Sequence, residues 1–95
     1  MARLTDAERD EALKGLGAWR YDEGASASTR DLKFRDFPEA FAFMTRVALL
    51  AQAADHHPEW SNVYNRVSIA LTTHSDKGLS AKDVALAGEI YKLLG

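Results

Sequence analysis

Three histidines are the side chains of this sequence best suited to chemistry. His56 and His57 are adjacent, and His74 completes a set that falls within nineteen positions. The unperturbed imidazole titrates near neutral pH, so it can give and take a proton within one turnover. His56 and His57 come where a predicted helix ends, and the negative end of the helix dipole stabilises a cationic ring. The neighbouring Asp55 acts in the same direction. The pattern indicates a possible proton-transfer site.

Structural roles can explain the same residues. A histidine at a helix C-terminus is often only a favourable partner of the dipole, and His74 can be a surface residue of a strand. Position N3 of a capping box accounts fully for an acid at Asp83. Trp19 and Trp60 are more often core or interface residues than platforms for a ligand, and Tyr64 can simply be solvated. Residue types and spacing leave both interpretations open.

The elements that would position these residues begin with a capping box at Thr5–Glu8. It opens a helix that Gly15 and Gly17 weaken toward its end. A short strand is predicted over residues 19–21, and a second over residues 29–35 after a turn.

The central helix is predicted from Phe37 to about Ala54, with Pro38 in its first turn. Pro58 is expected to end it, because the residue before a proline is pushed out of the α region. Two lines of apolar residues follow helical spacing, so we expect one partner to be a sheet and the other to be a second subunit. One line contains Phe37, Phe41, Met44, Ala48 and Ala51, and the other contains Phe43, Val47, Leu50 and Ala54.

Alternation from Val63 to His74 predicts a strand with one apolar face. A second capping box at Ser80–Asp83 opens the last helix. The element order is α-β-β-α-β-β-α if the long strand divides, and α-β-β-α-β-α if it does not. Short connections favour an α+β class, with an antiparallel four-stranded sheet covered on one side by helices, in a single domain over residues 1–95.

Composition excludes several classes of protein. The chain has no cysteine, which rules out disulfides and thiolate chemistry. Its net charge of −2 and interleaved charges give no basic patch for direct nucleic-acid binding. The polar segment 1–10 is unlike a secretory signal, and the longest apolar run, Val47–Ala51, is too short to span a bilayer. We expect a cytoplasmic protein.

Several motifs resemble those of the pterin-4a-carbinolamine dehydratases, from about Leu16 to the C-terminus. They are Asp55-His56-His57-Pro58-Glu59-Trp60, Asn62-Val63-Tyr64-Asn65, Thr73-His74, Gly78-Leu79-Ser80 and Asp83, together with Phe41–Ala48 and the early Trp19. One departure is Gln52, where the family often carries a charged residue, which weakens the expectation of a charged group at the rim of the site.

The resemblance implies dehydration of a 4a-hydroxytetrahydropterin to a quinonoid dihydropterin without metal or organic cofactor. It places His56, His57 and His74 together in the site. We expect His56 to be the general acid, His74 to be the base or its partner, and His57 to hydrogen-bond the pterin, although the sequence leaves open which histidine gives the proton and which receives it. Asp83 would orient a histidine, as carboxylates do elsewhere. The residues that would contact the substrate are Trp19, Asp55, Pro58, Trp60 and Tyr64.

The resemblance also implies a homodimer or homotetramer and a functional link to an aromatic amino acid hydroxylase. Three alternatives stay open at this point. The histidines could bind a metal with Asp55, Glu59 or Asp83, although adjacent histidines are poorly spaced for zinc. The chain could be a non-enzymatic dimerisation module, as animal family members also are for a homeodomain transcription factor. It could also serve molybdenum-cofactor metabolism.

Overall fold

The computed structural model describes residues 3–94, in which a four-stranded antiparallel sheet carries helices on one face. The strand order is β1-β2-β4-β3. The α+β class and the longer of the two predicted element orders are confirmed. The elements are α1 (Asp6–Lys14), β1 (Arg20–Asp22), β2 (Ala27–Lys33), α2 (Phe37–Ala54), β3 (Glu59–Val63), β4 (Arg66–Leu71), a 3-10 turn (His74–Asp76) and α3 (Ala81–Leu94).

The first helix begins at the predicted capping box. Thr5 Oγ1 accepts a hydrogen bond from the Glu8 backbone N–H at 3.1 Å, and Glu8 Oε1 accepts one from the Thr5 N–H at 2.9 Å. These two bonds satisfy amide donors that the first helical turn leaves without partners. The bond from the Thr5 backbone also lowers the pKa of the Glu8 carboxyl. The helix ends at Lys14, directly before Gly15.

The core lies between one face of the sheet and the helices. Val67, Ile69 and Leu71 alternate along β4 and are buried, because successive side chains of a strand point to opposite faces. The helices cover this face with residues at helical spacing, which are Ala40, Phe43, Val47 and Ala51 of α2 and Leu86, Ala87 and Ile90 of α3.

The prediction of one strand from Val63 to His74 is wrong. Val63 ends β3 and is 74% exposed, Tyr64 adopts a left-handed conformation with φ of 50°, and β4 begins at Arg66. The side-chain amide of Asn62 holds this turn by donating to the carbonyl oxygens of Tyr64, at 3.1 Å, and of Arg66, at 2.8 Å. Alternation cannot reveal such a turn, because Val63 happens to continue the apolar pattern across it.

The two predicted apolar lines of α2 do not separate into two environments. Phe43 and Val47 of one line and Ala51 of the other are buried in the core, whereas Phe41 is 56% exposed. Leu49, which belongs to neither line, is 68% exposed. The prediction of a core-facing side is confirmed, and the surface that carries Phe41 is uncovered in the single chain. Over residues 3–94, no helix combines the length and apolarity needed to cross a membrane.

Ser28 of β2 offers a stability test, because its hydroxyl is fully buried without a hydrogen-bond partner in the described part of the chain. Removing an unsatisfied buried hydroxyl should stabilise the fold, so Ser28→Ala is expected to raise the free energy of unfolding by about 1 kcal/mol. Ser80→Ala is the matched control, since Ser80 is equally buried but bonded to Thr73 at 2.8 Å. It should lower that free energy. Urea unfolding measures both, and equal losses would contradict this account.

Candidate active site

The end of α2 fixes the backbone of His56. Asp55 takes the left-handed conformation with φ of 50°, and its N–H donates to the Gln52 carbonyl oxygen at 3.2 Å. The His56 N–H donates to the Ala51 carbonyl oxygen at 3.0 Å. This pair of bonds is the Schellman arrangement, in which glycine usually occupies the left-handed position. The predicted boundary at Ala54 is confirmed, but Pro58 does not end the helix: the helix has already stopped when the chain reaches it.

The ring of His56 is held by a buried carboxylate. His56 Nε2 lies 2.5 Å from Asp83 Oδ1, across 27 residues of sequence. Asp83 is fully buried and the His56 side chain is only 12% exposed. A hydrogen bond in such surroundings meets little competition from water. The contact therefore fixes which way the imidazole is turned.

The second carboxylate oxygen of Asp83, Oδ2, caps the N-terminus of α3. Asp83 Oδ2 accepts from the Ser80 backbone N–H at 2.8 Å and from Thr73 Oγ1 at 2.7 Å. Ser80 Oγ in turn accepts from the Lys82 N–H at 3.3 Å. One oxygen of Asp83 thus caps α3, as its position in the capping box predicts, and the other contacts His56.

His74 lies on a tight loop between β4 and α3, not at the end of a strand as predicted. It is the first residue of the 3-10 turn, and an isolated antiparallel bridge between Thr73 and Gly78 closes the loop. Lys77 makes the reversal in the left-handed conformation, with φ of 56°. His74 is thereby presented at the surface, with its side chain 80% exposed.

Glu59 is the partner of His74. His74 Nε2 lies 2.6 Å from Glu59 Oε1, and the Glu59 side chain is 64% exposed. Sequence reasoning considered Glu59 only as a metal ligand. Its place inside the motif Asp55-His56-His57-Pro58-Glu59-Trp60 is the sequence signal that could have linked it to the site.

His57 is exposed and contacts Gln52. Its Nε2 lies 2.9 Å from Gln52 Oε1, an amide oxygen that can only accept, so the ring donates. Gln52 is the position at which this chain departs from the motifs that it otherwise resembles. It gives His57 a neutral hydrogen-bond partner in place of a charged one.

The predicted substrate-binding residues fall into separate environments. Asp55 is exposed and Pro58 is half-buried beside the histidines in sequence. Trp19 is 4% exposed and belongs to the core, and the half-buried Trp60 packs against that core. Tyr64 is 62% exposed at the far end of β3. Since a five-residue strand spans about 13 Å, Tyr64 is separated from the histidines within one chain.

The structure thus brings together two histidine–carboxylate pairs, one buried and one exposed. His56 and Asp83 form the first pair, His74 and Glu59 form the second, and Thr73 adjoins both. Paired imidazoles of this kind are equipped to donate and to accept protons. Within residues 3–94, no three histidine, aspartate or glutamate side chains are grouped so that they could hold a metal ion.

Comparison with known proteins identifies the family. The family model described as pterin 4 alpha carbinolamine dehydratase matches residues 2–93. A relative from Rhizorhabdus wittichii, provisionally named a pterin-4-alpha-carbinolamine dehydratase, is 60% identical over 95% of this chain and 93% of its own. A relative of the same provisional name from Novosphingobium aromaticivorans is 55% identical over 99% and 98%.

A solved structure gives the same result. The crystal structure of a Brucella melitensis protein, described as a transcriptional coactivator/pterin dehydratase, superposes with a TM-score of 0.93. It is 46% identical and is matched over 98% of this chain and 99% of that chain. The fold and the sequence agree: this chain belongs to the pterin 4 alpha carbinolamine dehydratase family.

Proposed function

We propose that the protein removes water from a 4a-hydroxytetrahydropterin, the tetrahydrobiopterin derivative included, to give the quinonoid dihydropterin. The observation that carries the proposal is the buried His56–Asp83 pair, a histidine set in one orientation beside an exposed second histidine. Family membership supports the substrate class.

The reaction breaks the bond between C4a and the hydroxyl oxygen and removes the proton from N5, so that a C=N bond forms and water leaves. In our proposal, His56 delivers the proton to the departing hydroxyl, and His74 takes the proton from N5. Asp83 keeps the His56 ring oriented and stabilises the imidazolium, as the carboxylate of a catalytic triad does. Glu59 offers His74 a second carboxylate of the same kind.

Substrate binding is assigned to His57 together with the residues that flank the histidines, Asp55 and Pro58. His57 is exposed, and its hydrogen bond to Gln52 can be exchanged for one to the pterin. Trp19 and Trp60 would support the site from the core. Tyr64 would contribute only if the pterin site extended beyond one chain.

The natural source of this substrate would be a pterin-dependent aromatic amino acid hydroxylase, which releases its pterin as the 4a-hydroxy form. The dehydratase would convert that form into the quinonoid dihydropterin, which can then be reduced. Recycling of this kind is our proposal for the pathway. Molybdenum-cofactor pterin metabolism is the other pathway that the same chemistry could serve.

A second candidate function, a dimerisation or binding module, is favoured by one observation. Phe41 and Leu49 are exposed on α2, and large exposed apolar patches mark interaction sites. The Brucella melitensis relative is described as a transcriptional coactivator as well as a dehydratase. We infer a homodimer or homotetramer that uses this helix, and light scattering of the purified protein reports the number of subunits.

The enzymatic proposal is tested by following the decay of a freshly generated 4a-carbinolamine with and without the protein. We expect clear acceleration, unchanged by a chelator such as EDTA, because the proposed proton transfers need no metal. If the decay is not accelerated at all, the binding module is the better account. Acceleration that EDTA abolishes would contradict the histidine mechanism while keeping the enzyme.

A further inference from the structure

Thr73 joins the two histidine sites. Its side-chain hydroxyl lies 2.7 Å from Asp83 Oδ2 and 2.8 Å from Ser80 Oγ. Its backbone N–H donates to the Gly78 carbonyl oxygen at 2.9 Å and so closes the loop on which His74 stands. One residue therefore touches the carboxylate that holds His56 and is the immediate neighbour of His74.

The hydroxyl of Thr73 determines how Asp83 is turned. With Asp83 Oδ2 occupied by Thr73 Oγ1 and the Ser80 N–H, the carboxylate presents only Oδ1 to His56. Hydroxyl and amide donors to a buried carboxylate are strong and directional. Without the hydroxyl, the single Ser80 bond would allow the carboxylate to rotate, and the His56 ring would lose its fixed partner.

The orientation of Asp83 also decides which nitrogen of His56 faces the substrate. A neutral ring that donates from Nε2 to Asp83 leaves Nδ1 unprotonated. In the described part of the chain, Nδ1 has no hydrogen-bond partner. Nδ1 can therefore take up a proton from solvent to give the imidazolium and then pass that proton to the departing hydroxyl, while Nε2–H stays bonded to Asp83.

We propose that Thr73 is a positioning residue that holds Asp83 so that His56 is bound through Nε2 and reacts through Nδ1. The inference rests on the proposed function for its kinetic consequence. Its structural part, the state of the His56 ring, does not depend on any activity.

The chain offers a matched control for this test in the neighbouring threonine. Thr73→Val removes the hydroxyl with little change of shape, whereas Thr73→Ser keeps it. Thr72 Oγ1 donates to the Ser26 carbonyl oxygen at 2.7 Å, outside the site. Thr72→Val therefore removes a comparable hydrogen bond without touching Asp83.

In the dehydration assay, we expect Thr73→Val to lower kcat about tenfold, the worth of one hydrogen bond to a charged group. KM should change less than twofold, since the hydroxyl does not touch the substrate. Thr73→Ser should restore kcat to within threefold, and Thr72→Val should match the parent protein. Equal kinetics for Thr73→Val and Thr72→Val would overturn the proposal.

Nitrogen-15 NMR of the imidazole rings provides a readout independent of activity. In the parent protein and in Thr72→Val, neutral His56 should be the Nε2–H tautomer. In Thr73→Val it should be a mixture of tautomers. A pure Nε2–H tautomer in Thr73→Val refutes the positioning role, even if no variant is active. A mixture in a protein that never accelerates the reaction refutes the proposed function alone. If Thr73→Val does not fold, Thr73→Ala carries the same measurement, because it also removes the hydroxyl from Asp83 Oδ2, and a pure tautomer in that variant again refutes the role.

Discussion

His56→Ala is expected to lower the catalysed rate of dehydration by about a hundred- to ten-thousand-fold, the usual contribution of a positioned acid or base. The loss follows from the proposed role of His56 as the group that protonates the departing hydroxyl. The chain should still fold, because Asp83 keeps its bonds from Thr73 and the Ser80 N–H. Initial rates on fresh 4a-carbinolamine, corrected for spontaneous decay, measure the effect, and circular dichroism checks the fold.

His74→Ala provides the comparison for this prediction. Its rate should fall within the same range, since His74 is the proposed proton acceptor. Its stability should hardly change, because the His74–Glu59 pair is exposed and such pairs contribute about 0–1 kcal/mol. Full activity in both histidine variants would remove the acid–base mechanism. Loss of activity in His56→Ala alone would reassign the base.

Asp83→Ala is expected to have the largest effect on stability, a loss of about 3 kcal/mol in the free energy of unfolding. Asp83 is fully buried, and its removal takes the carboxylate acceptor away from the Thr73 hydroxyl, the Ser80 N–H and His56 Nε2. Catalysis should fall in the folded fraction as well, because the His56 ring loses its fixed orientation. Urea unfolding followed by tryptophan fluorescence gives the free energy.

Asp36→Ala is the matched control for the capping part of this effect. Asp36 caps α2 by one bond, from the Glu39 N–H to its Oδ1 at 3.0 Å, and it is half-buried. Loss of such a cap should lower stability by about 1 kcal/mol and leave catalysis unchanged. Equal losses for the two aspartates would mean that Asp83 is only a helix cap and that its contact with His56 adds nothing.

Local interactions made much of this fold predictable. The capping box of Thr5 and Glu8 joins residues three positions apart, and the apolar period of α2 needs no partner to be visible. The turn at Tyr64 escaped prediction because it depends on side-chain hydrogen bonds from Asn62 that leave the alternation intact.

In the candidate site, too, the features set by local sequence were predictable and the contacts between distant residues were not. The residue types define the available chemistry: two histidines at the end of a predicted helix, a third at the end of a predicted strand, and a capping acid, which a family resemblance joined into one set. How these residues pair depends on the packing of the chain. Asp83 reaches His56 across 27 residues, and Glu59 reaches His74 across fifteen. Contacts of that separation depend on how the sheet and helices pack, which no local pattern records. The packing therefore set one histidine in the interior and left the other at the surface.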